Sequence, residues 1–169
     1  MINADTNHEI IITSGGTEAN NWIINSSVKN FLKNSTPVAK PHIITTNIEH
    51  PSIREPLLRL SAEENNETPI DVCVTFVSVS KKTGCVAAED IMDAMRADTC
   101  LITVMMANNE TGVIQPIREI GANLAKINAQ RVANGLPKVG FHCDAAQAIG
   151  KVEVDVQDLR LDYLTIVGH

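Results

Sequence analysis

Five short polar clusters in the sequence have side chains that could bind a ligand or move a proton. They occupy residues 14–21, 49–52, 108–112, 142–147 and 167–169. Each cluster follows a run of apolar and β-branched residues that is typical of a strand. In a parallel sheet the carboxyl ends of the strands lie at one edge, where such folds bind their ligands. The order of the clusters therefore predicts one shared site.

The first cluster, SGGTEANN at residues 14–21, joins an apolar run to a helical pattern through two glycines. Gly16 lets the backbone approach a ligand closely, and the free N–H groups at a helix N-terminus bind phosphate. Thr17 would add a hydroxyl donor. An ordinary capped helix start explains the same residues, and neither the G-x-G-x-x-G pattern nor the P-loop pattern is present. A phosphate bound here would therefore belong to a ligand other than NAD or ATP.

Three of the other clusters offer groups that could hold a flat ring. His50, followed by Pro51, could stack on a planar cofactor or act as acid and base, although a turn histidine is the simpler explanation. Asn109 either closes a turn or directs an amide into the site. Asp144 ends an apolar strand, where a carboxylate costs desolvation energy unless it meets a cation, and Gln147 adds a donor. A buried aspartate facing a pyridinium nitrogen is the partner that pyridoxal phosphate requires.

The composition is that of a folded protein with no cationic surface. Of the 169 residues 44% are hydrophobic and 20% are charged, which favours a globular chain over a disordered one. The net charge of −6 argues against nucleic acid and anionic membranes as partners. No apolar run approaches the roughly 20 residues of a membrane span, and the first residues lack the apolar stretch of a secretory signal. We therefore expect a cytosolic protein without nucleic-acid or membrane partners.

The four cysteines are Cys73, Cys85, Cys100 and Cys143, and successive ones lie 12, 15 and 43 residues apart. No two of them have the close spacing that zinc sites use. We interpret them as reduced thiols that pack as small hydrophobic residues, and we expect no metal site.

Strands and helices alternate along the chain. The β-branched runs predict strands at residues 9–13, 42–46, 73–79, 100–105, 139–143 and 161–167, and helical periodicity predicts helices at 18–32, 53–60, 88–95 and 117–133. This alternation is typical of an α/β domain with a mostly parallel sheet. Because the pattern ends on the carboxyl end of a strand, we expect the chain to be a fragment of a longer protein.

The order of the motifs TSGGTEANN, EHPS, NNETG, DAAQ and GH resembles the cysteine desulfurase and selenocysteine lyase group of pyridoxal-phosphate enzymes, within the class V aminotransferases. The resemblance covers nearly the whole chain. It implies that residues 1–169 form the central part of a fold type I large domain, an α/β fold with a mostly parallel sheet and flanking helices. The stretches at residues 128–137 and 164–169 are most similar to the selenocysteine lyase branch of that group.

The resemblance implies that one end of the site holds the phosphate of the cofactor. Gly16 and Thr17 would do so through backbone and hydroxyl groups, with a contribution from His169. The Schiff-base lysine of the family is expected directly after His169. An N-terminal arm and a C-terminal small domain with a loop cysteine are also expected outside the chain. Val167 stands where many cysteine desulfurases have a phosphate-binding serine, and the selenocysteine lyase branch shares this valine.

The resemblance also implies roles around the pyridine ring of the cofactor. His50 would stack on the ring and take part in proton transfer, which makes it the catalytic candidate within the chain. Asp144 would pair with the protonated ring nitrogen. Asn109 would contact the edge of the ring near its 3′-oxygen, to which Gln147 would donate a hydrogen bond.

The implied function is decomposition of L-selenocysteine to L-alanine and a reduced or elemental selenium species by a cytosolic homodimer that uses pyridoxal 5′-phosphate. A cysteine desulfurase that supplies sulfur for iron–sulfur clusters or thiolation is the nearest alternative, because the same residues would serve both reactions. A non-catalytic truncated product is a second alternative. A nicotinamide-binding domain is disfavoured because its fingerprint glycines are missing. Without the lysine, the chain alone is expected to be inactive.

Overall fold

The computed structural model describes residues 2–4, 10–34, 40–61 and 71–168. Within them lie α1 (Gly16–Asn34), β1 (His42–Thr46), α2 (Pro51–Ser61), β2 (Cys73–Val77), α3 (Ala88–Asp93), β3 (Thr99–Met105), α4 (Ile117–Ala133), β4 (Gly140–Asp144) and β5 (Tyr163–Thr165). All four predicted helices are present, and so are the last five predicted strands. Their ends differ from the predicted ends by a few residues, and β5 is shorter than the predicted strand at 161–167.

The five strands form one sheet in the order β2-β1-β3-β4-β5, and all four pairings are parallel. Helices α2, α3 and α4 each provide the crossover between two successive strands. The chain adds β2 on one side of β1 and then adds β3 on the other side. The direction of winding therefore reverses beside β1, which is where open parallel sheets bind ligands. The predicted α/β fold with a mostly parallel sheet is confirmed.

Helices cover both faces of the sheet. Ile43 and Leu101 pack with α1 and α2 on one face, whereas their neighbours Ile44 and Ile102 pack with α3 and α4 on the other. Successive side chains of a strand point to opposite faces, so a continuous apolar run is buried on both sides. The three layers leave the carboxyl edge of the sheet open, between the ends of the helices.

Gly121 allows α4 to lie directly against the chain that leads into β5. A Cβ atom at this position would come within 2.2 Å of the Leu159 carbonyl oxygen. That oxygen belongs to the backbone and cannot rotate away, so only glycine permits the contact. The contact fixes the path of the chain between β4 and β5, a connection that contains no helix.

The prediction of a strand at residues 9–13 is wrong for residues 10–13, which are the part that the structure describes. Glu9 lies outside the described residues, and residues 10–13 are irregular. The side chains of Ile10, Ile11 and Ile12 are 56%, 65% and 94% exposed. An apolar run forms a strand only where another strand accepts its backbone hydrogen bonds, and no strand in the described ranges pairs with this one.

Residues 2–4, 10–34, 40–61 and 71–168 contain no helix long and apolar enough to cross a bilayer. The same ranges hold no group of three or more histidine, cysteine or carboxylate side chains that could hold a metal ion.

All four cysteines are free thiols. Burial raises the pKa of the Cys100 thiol to about 12 and that of Cys143 well above its usual range.

We expect Cys100 and Cys143 to resist alkylation in the native protein. A thiol whose pKa rises from 9.0 to about 12 has about 10³-fold less thiolate at neutral pH, and the thiolate is the form that reacts. Timed iodoacetamide labelling followed by peptide mass spectrometry measures each site. Both cysteines should react fully once the protein is unfolded in urea. Rapid native labelling of Cys143 would contradict its burial.

Candidate cofactor site

A cleft of about 170 Å³ lies at the carboxyl edge of the sheet. It is lined by Gly16, Thr17, Asn20, His50, Ser52, Met105, Ala107, Asn109, Asp144, Ala146, Gln147 and Val167. These include all six predicted site residues that the structure describes. The seventh, His169, lies outside the described residues. The parallel sheet therefore brings residues of all five clusters together, with Val167 as the described member of the fifth, as their positions after strands predict.

Helix α1 begins at the cleft. Its first backbone N–H groups have no carbonyl one turn earlier to bond to, and Thr17 adds a hydroxyl beside them. The Glu18 carboxylate accepts the Ser14 N–H at 2.6 Å, and this bond lowers the pKa of Glu18. A Cβ atom on Gly16 would come within 2.9 Å of Val167 Cγ1, so glycine permits the close approach of the helix start to the end of β5. Backbone N–H groups and a hydroxyl at a helix N-terminus suit a phosphate.

Asp144 ends β4 and is buried, with 6% of its surface exposed. Its Oδ2 accepts a hydrogen bond from Asn20 Nδ2 at 3.0 Å, and its Oδ1 accepts the Ala146 N–H at 3.0 Å. No ion pair joins it to a basic side chain in the described part of the chain. Asn20 Oδ1 is also buried and has no partner there. A buried carboxylate that lines a cleft without a cation is suited to a positively charged nitrogen of a ligand.

His50 is the N-cap residue of α2. Its carbonyl accepts the N–H groups of Ile53 and Arg54 at 2.9 and 3.0 Å. Its ring Nδ1 accepts the Ser52 N–H at 3.1 Å and lies 2.8 Å from Ser52 Oγ. Pro51 takes the first helical position, where a missing N–H does no harm, and this moves the helix start from the predicted residue 53 to 51. The cap holds the ring at the edge of the cleft.

The NNETG segment forms both a turn and part of the site. Asn108 is buried, and its Oδ1 accepts the N–H groups of Glu110 and Thr111 at 3.1 and 2.8 Å. The next residue, Asn109, lines the cleft. Gln147 lines the cleft as well, and its Oε1 accepts a hydrogen bond from Lys151 Nζ at 2.9 Å, which leaves its amide hydrogens for another partner. Asn108 therefore shapes the loop that places Asn109.

Three polar residues at or beside the cleft lie within the predicted clusters, but sequence reasoning gave them no role of their own. Asn20 lies one helical turn after Gly16, a spacing that puts both on one face of α1 and could have identified it. Ser52 occupies the first turn of α2, within the EHPS motif. Glu49 is buried beside the cleft, and no spacing in the sequence signals that burial.

Glu49 is a buried carboxyl group whose surroundings favour the protonated form. Its Oε1 accepts the Thr46 hydroxyl at 2.6 Å and the Met105 N–H at 3.0 Å, whereas its Oε2 is buried and has no partner in the described residues. Burial raises the pKa of Glu49 to about 8, and the charge of Asp144 acts in the same direction. The folded protein therefore keeps a proton that the unfolded chain releases near pH 4.5.

We expect the free energy of unfolding to fall by about 1 kcal/mol between pH 6.5 and 8, because over most of that range only the folded state holds the Glu49 proton. His142 acts in the opposite direction at lower pH. Burial lowers its pKa to about 3, so between pH 3 and 6.5 only the unfolded state binds that proton. Burial also lowers the pKa of His42, which acts in the same direction as His142. The histidine effects fade as the pH rises above 6.5, where the Glu49 effect is the larger one.

Urea unfolding of the cofactor-free protein at pH 6.5 and pH 8 measures this fall. Glu49→Gln keeps the shape and cannot ionise, so its stability should change much less between the two pH values. Glu55→Gln replaces an exposed carboxyl on α2 and serves as the matched control. Its free energy of unfolding should fall between pH 6.5 and 8 as much as that of the unsubstituted protein. An equal fall in Glu49→Gln and in the unsubstituted protein would show that another group is responsible.

Comparison with known proteins identifies the family of the chain and several relatives. The family model described as aminotransferase class-V matches residues 1–169. Selenocysteine lyase from Xenopus tropicalis is 52% identical over 168 residues, which cover 95% of this chain and 38% of that protein. The mitochondrial cysteine desulfurase of Saccharomyces cerevisiae is 44% identical over 169 residues, which cover 100% of this chain and 29% of that protein.

A solved structure described as SspA in complex with cysteine has the same fold, with a TM-score of 0.76 and 32% identity. The match covers 95% of this chain and 40% of that one. This agreement confirms the predicted partial large domain of fold type I. The chain spans about 38% of the length of the selenocysteine lyases that it matches.

Proposed function

Because this chain belongs to the aminotransferase class-V family, we propose that the protein containing it decomposes L-selenocysteine to L-alanine and a reduced or elemental selenium species. The family and the relatives above depend on pyridoxal 5′-phosphate. The choice of substrate rests on the 52% identity with a selenocysteine lyase, against 44% with a cysteine desulfurase.

The residues of the cleft fit this cofactor. Asp144 supplies the buried anion that a protonated ring nitrogen requires, and Asn20 and Ala146 orient that anion. Thr17 and the first N–H groups of α1 supply donors for the phosphate. When bound, the cofactor stores the electron pair left on the substrate after its α-proton is removed.

The remaining cleft residues would complete the cofactor site. His50 would lie against the face of the ring, and Asn109 and Gln147 would bind its edge, as the resemblance implies. The reaction also requires a Schiff-base lysine, which the resemblance puts directly after His169. Asp144 would hold the ring nitrogen in its protonated form by charge, because a buried carboxylate favours a neighbouring cation.

The reaction is tested with the purified full-length protein, supplied with pyridoxal 5′-phosphate and given L-selenocysteine or L-cysteine. Alanine, selenide and sulfide are measured separately. We expect kcat/KM for L-selenocysteine to exceed that for L-cysteine by about tenfold or more, because a selenolate leaves more readily than a thiolate. Failure to form alanine from either amino acid would contradict the proposed function.

A cysteine desulfurase is the second candidate. It is favoured by the 44% identity with the yeast desulfurase and by the solved relative in complex with cysteine. The residues that line the cleft would serve either substrate. Sulfide formation from L-cysteine at a rate equal to or above selenide formation would support this candidate over the lyase.

We also propose that the protein is a homodimer of the cytosol. The dimer follows from the resemblance, and the cytosolic location is supported by four free cysteines. Analytical ultracentrifugation of the full-length protein should give twice the mass of one chain. Cell fractionation should recover the protein with soluble cytosolic markers.

A further inference from the structure

One continuous chain of hydrogen bonds joins His50 to Asp144 through two residues of the cleft. Ser52 Oγ lies 2.8 Å from His50 Nδ1. Asn20 Nδ2 lies 2.9 Å from Ser52 Oγ and 3.0 Å from Asp144 Oδ2. The chain crosses from the start of α2 to the end of β4 by way of α1. Asn20 and Ser52 are both buried, so their bonds are shielded from water.

The direction of every hydrogen bond in this chain is fixed by its partners. The Asp144 carboxylate accepts hydrogen bonds, so Asn20 must turn its amide hydrogens toward it. The second amide hydrogen of Asn20 points at Ser52 Oγ. The Ser52 backbone N–H points at His50 Nδ1 from 3.1 Å, and a backbone N–H can only donate. Nδ1 therefore carries no proton, and the Ser52 hydroxyl donates to it as well.

We propose that Ser52 and Asn20 are positioning residues that hold His50 in the tautomer with its proton on Nε2, and that they couple this ring to the Asp144 carboxylate. Ser52 donates twice to Nδ1, once from its backbone and once from its hydroxyl. Asn20 orients that hydroxyl because it donates to the same oxygen. The proposal rests on the proposed function, since the cleft is taken to be the cofactor site.

This tautomer determines what His50 can do in the reaction. Nε2 has no hydrogen-bond partner within the described residues, and its N–H is available to the cleft. Nδ1 is already used to cap the helix, because it accepts the hydrogen bonds from Ser52. His50 therefore presents a fixed Nε2–H donor to an oxygen of the cofactor or substrate. In this tautomer Nε2 has no lone pair with which to accept a proton from the cleft, and the lone pair of Nδ1 faces Ser52.

The proposal is tested by ¹⁵N NMR of the full-length, cofactor-free protein with ring-labelled histidine. The His50 resonances are assigned from the signals lost in His50→Gln. We expect a pyridine-type Nδ1 and a pyrrole-type Nε2. Ser52→Ala removes one donor to Nδ1 and should shift the tautomer ratio toward Nδ1–H by about tenfold. A protonated Nδ1 in the unsubstituted protein would overturn the proposal.

Two control variants separate this effect from a general loss of structure. Ser52→Thr keeps the hydroxyl and should restore the spectrum of the unsubstituted protein. Ser27→Ala removes a hydroxyl from another buried serine, on α1 and outside the cleft, and should leave the His50 signals unchanged. An unchanged His50 spectrum in Ser52→Ala, or an equal change in Ser27→Ala, would overturn the assignment of Ser52.

Asn20→Ala tests the longer part of the chain, because Asn20 has no hydrogen bond to His50. With Asn20 removed, the Ser52 hydroxyl is no longer oriented, and the Nδ1 signal should move in the same direction as in Ser52→Ala but less far. Unchanged His50 signals in Asn20→Ala would show that Asn20 does not help to position the His50 ring. These spectra need neither cofactor nor substrate. They therefore test the roles of Ser52 and Asn20 independently of the selenocysteine assay, which tests the proposed function.

Discussion

Replacing Asp144 by asparagine should lower the turnover of L-selenocysteine by about 10³-fold. Loss of one partner from a buried ion pair costs about 3–5 kcal/mol, which corresponds to a factor of about 10² to 10⁴. The Asp144 carboxylate is buried and accepts hydrogen bonds from Asn20 and Ala146, neither of which is charged, so these partners cannot take over its charge. Steady-state formation of alanine measures the loss, and equilibrium dialysis should show weaker binding of pyridoxal 5′-phosphate.

A matched variant separates the charge of Asp144 from the folding of the sheet. Asp162→Asn removes a carboxylate that accepts the Phe141 N–H at 2.8 Å, at the other end of β4 and outside the cleft. It should keep turnover within about threefold of the unsubstituted protein, since exposed substitutions seldom cost more than about 0.5 kcal/mol. If Asp144→Asn also kept its turnover, the carboxylate would not face the ring nitrogen.

The parallel sheet was predictable because the sequence combines two signals that agree. Each strand from residue 42 onward is a compact apolar run, and each of the first three crossovers is a periodic helical segment. Continuous apolar strands are stable only when helices cover both faces. The run at residues 10–13 carries the same local signal and forms no strand, because pairing depends on a partner that local composition does not encode.

The site residues whose positions depend only on the topology of the sheet were predictable from the sequence. His50, Asn109 and Asp144 each follow a strand, and a parallel sheet brings those strand ends to one edge whatever the details of packing. The bonds from Asn20 to Ser52 and Asp144 span 32 and 124 residues. Such contacts depend on how α1 and α2 pack, which no local pattern specifies. The clusters were therefore found, but the hydrogen bonds that join them were not.

The buried polar residues show why their chemistry also required the structure. Glu49 and His142 both follow or lie within apolar runs, yet burial moves the pKa of the first upward and that of the second downward. In each case burial favours the neutral form, which is the protonated state of a carboxyl and the deprotonated state of an imidazole. The sequence gives the identity of these groups, and only the packing gives their charge at pH 7.

Two substitutions of His50 should separate its role in the reaction from its role as a helix cap. Glutamine places an amide N–H near the position of Nε2 but is a poor cap, whereas asparagine caps well and does not reach that position. We expect His50→Gln to keep turnover within about tenfold of the unsubstituted protein and to lose about 1 kcal/mol of stability. His50→Asn should lose turnover by about 10²-fold and keep its stability.

This opposite pattern distinguishes a fixed N–H donor from a group that accepts and returns protons. Neither amide titrates, so if His50 moved protons, both variants would lose turnover alike, by about 10²-fold or more. If His50 were only a cap, turnover would follow stability and asparagine would be the better substitute. Alanine formation and thermal unfolding, measured on the same preparations, decide among the three. Because Nδ1 accepts the hydrogen bonds from Ser52, we expect His50→Gln to keep most of the turnover and His50→Asn to keep the stability.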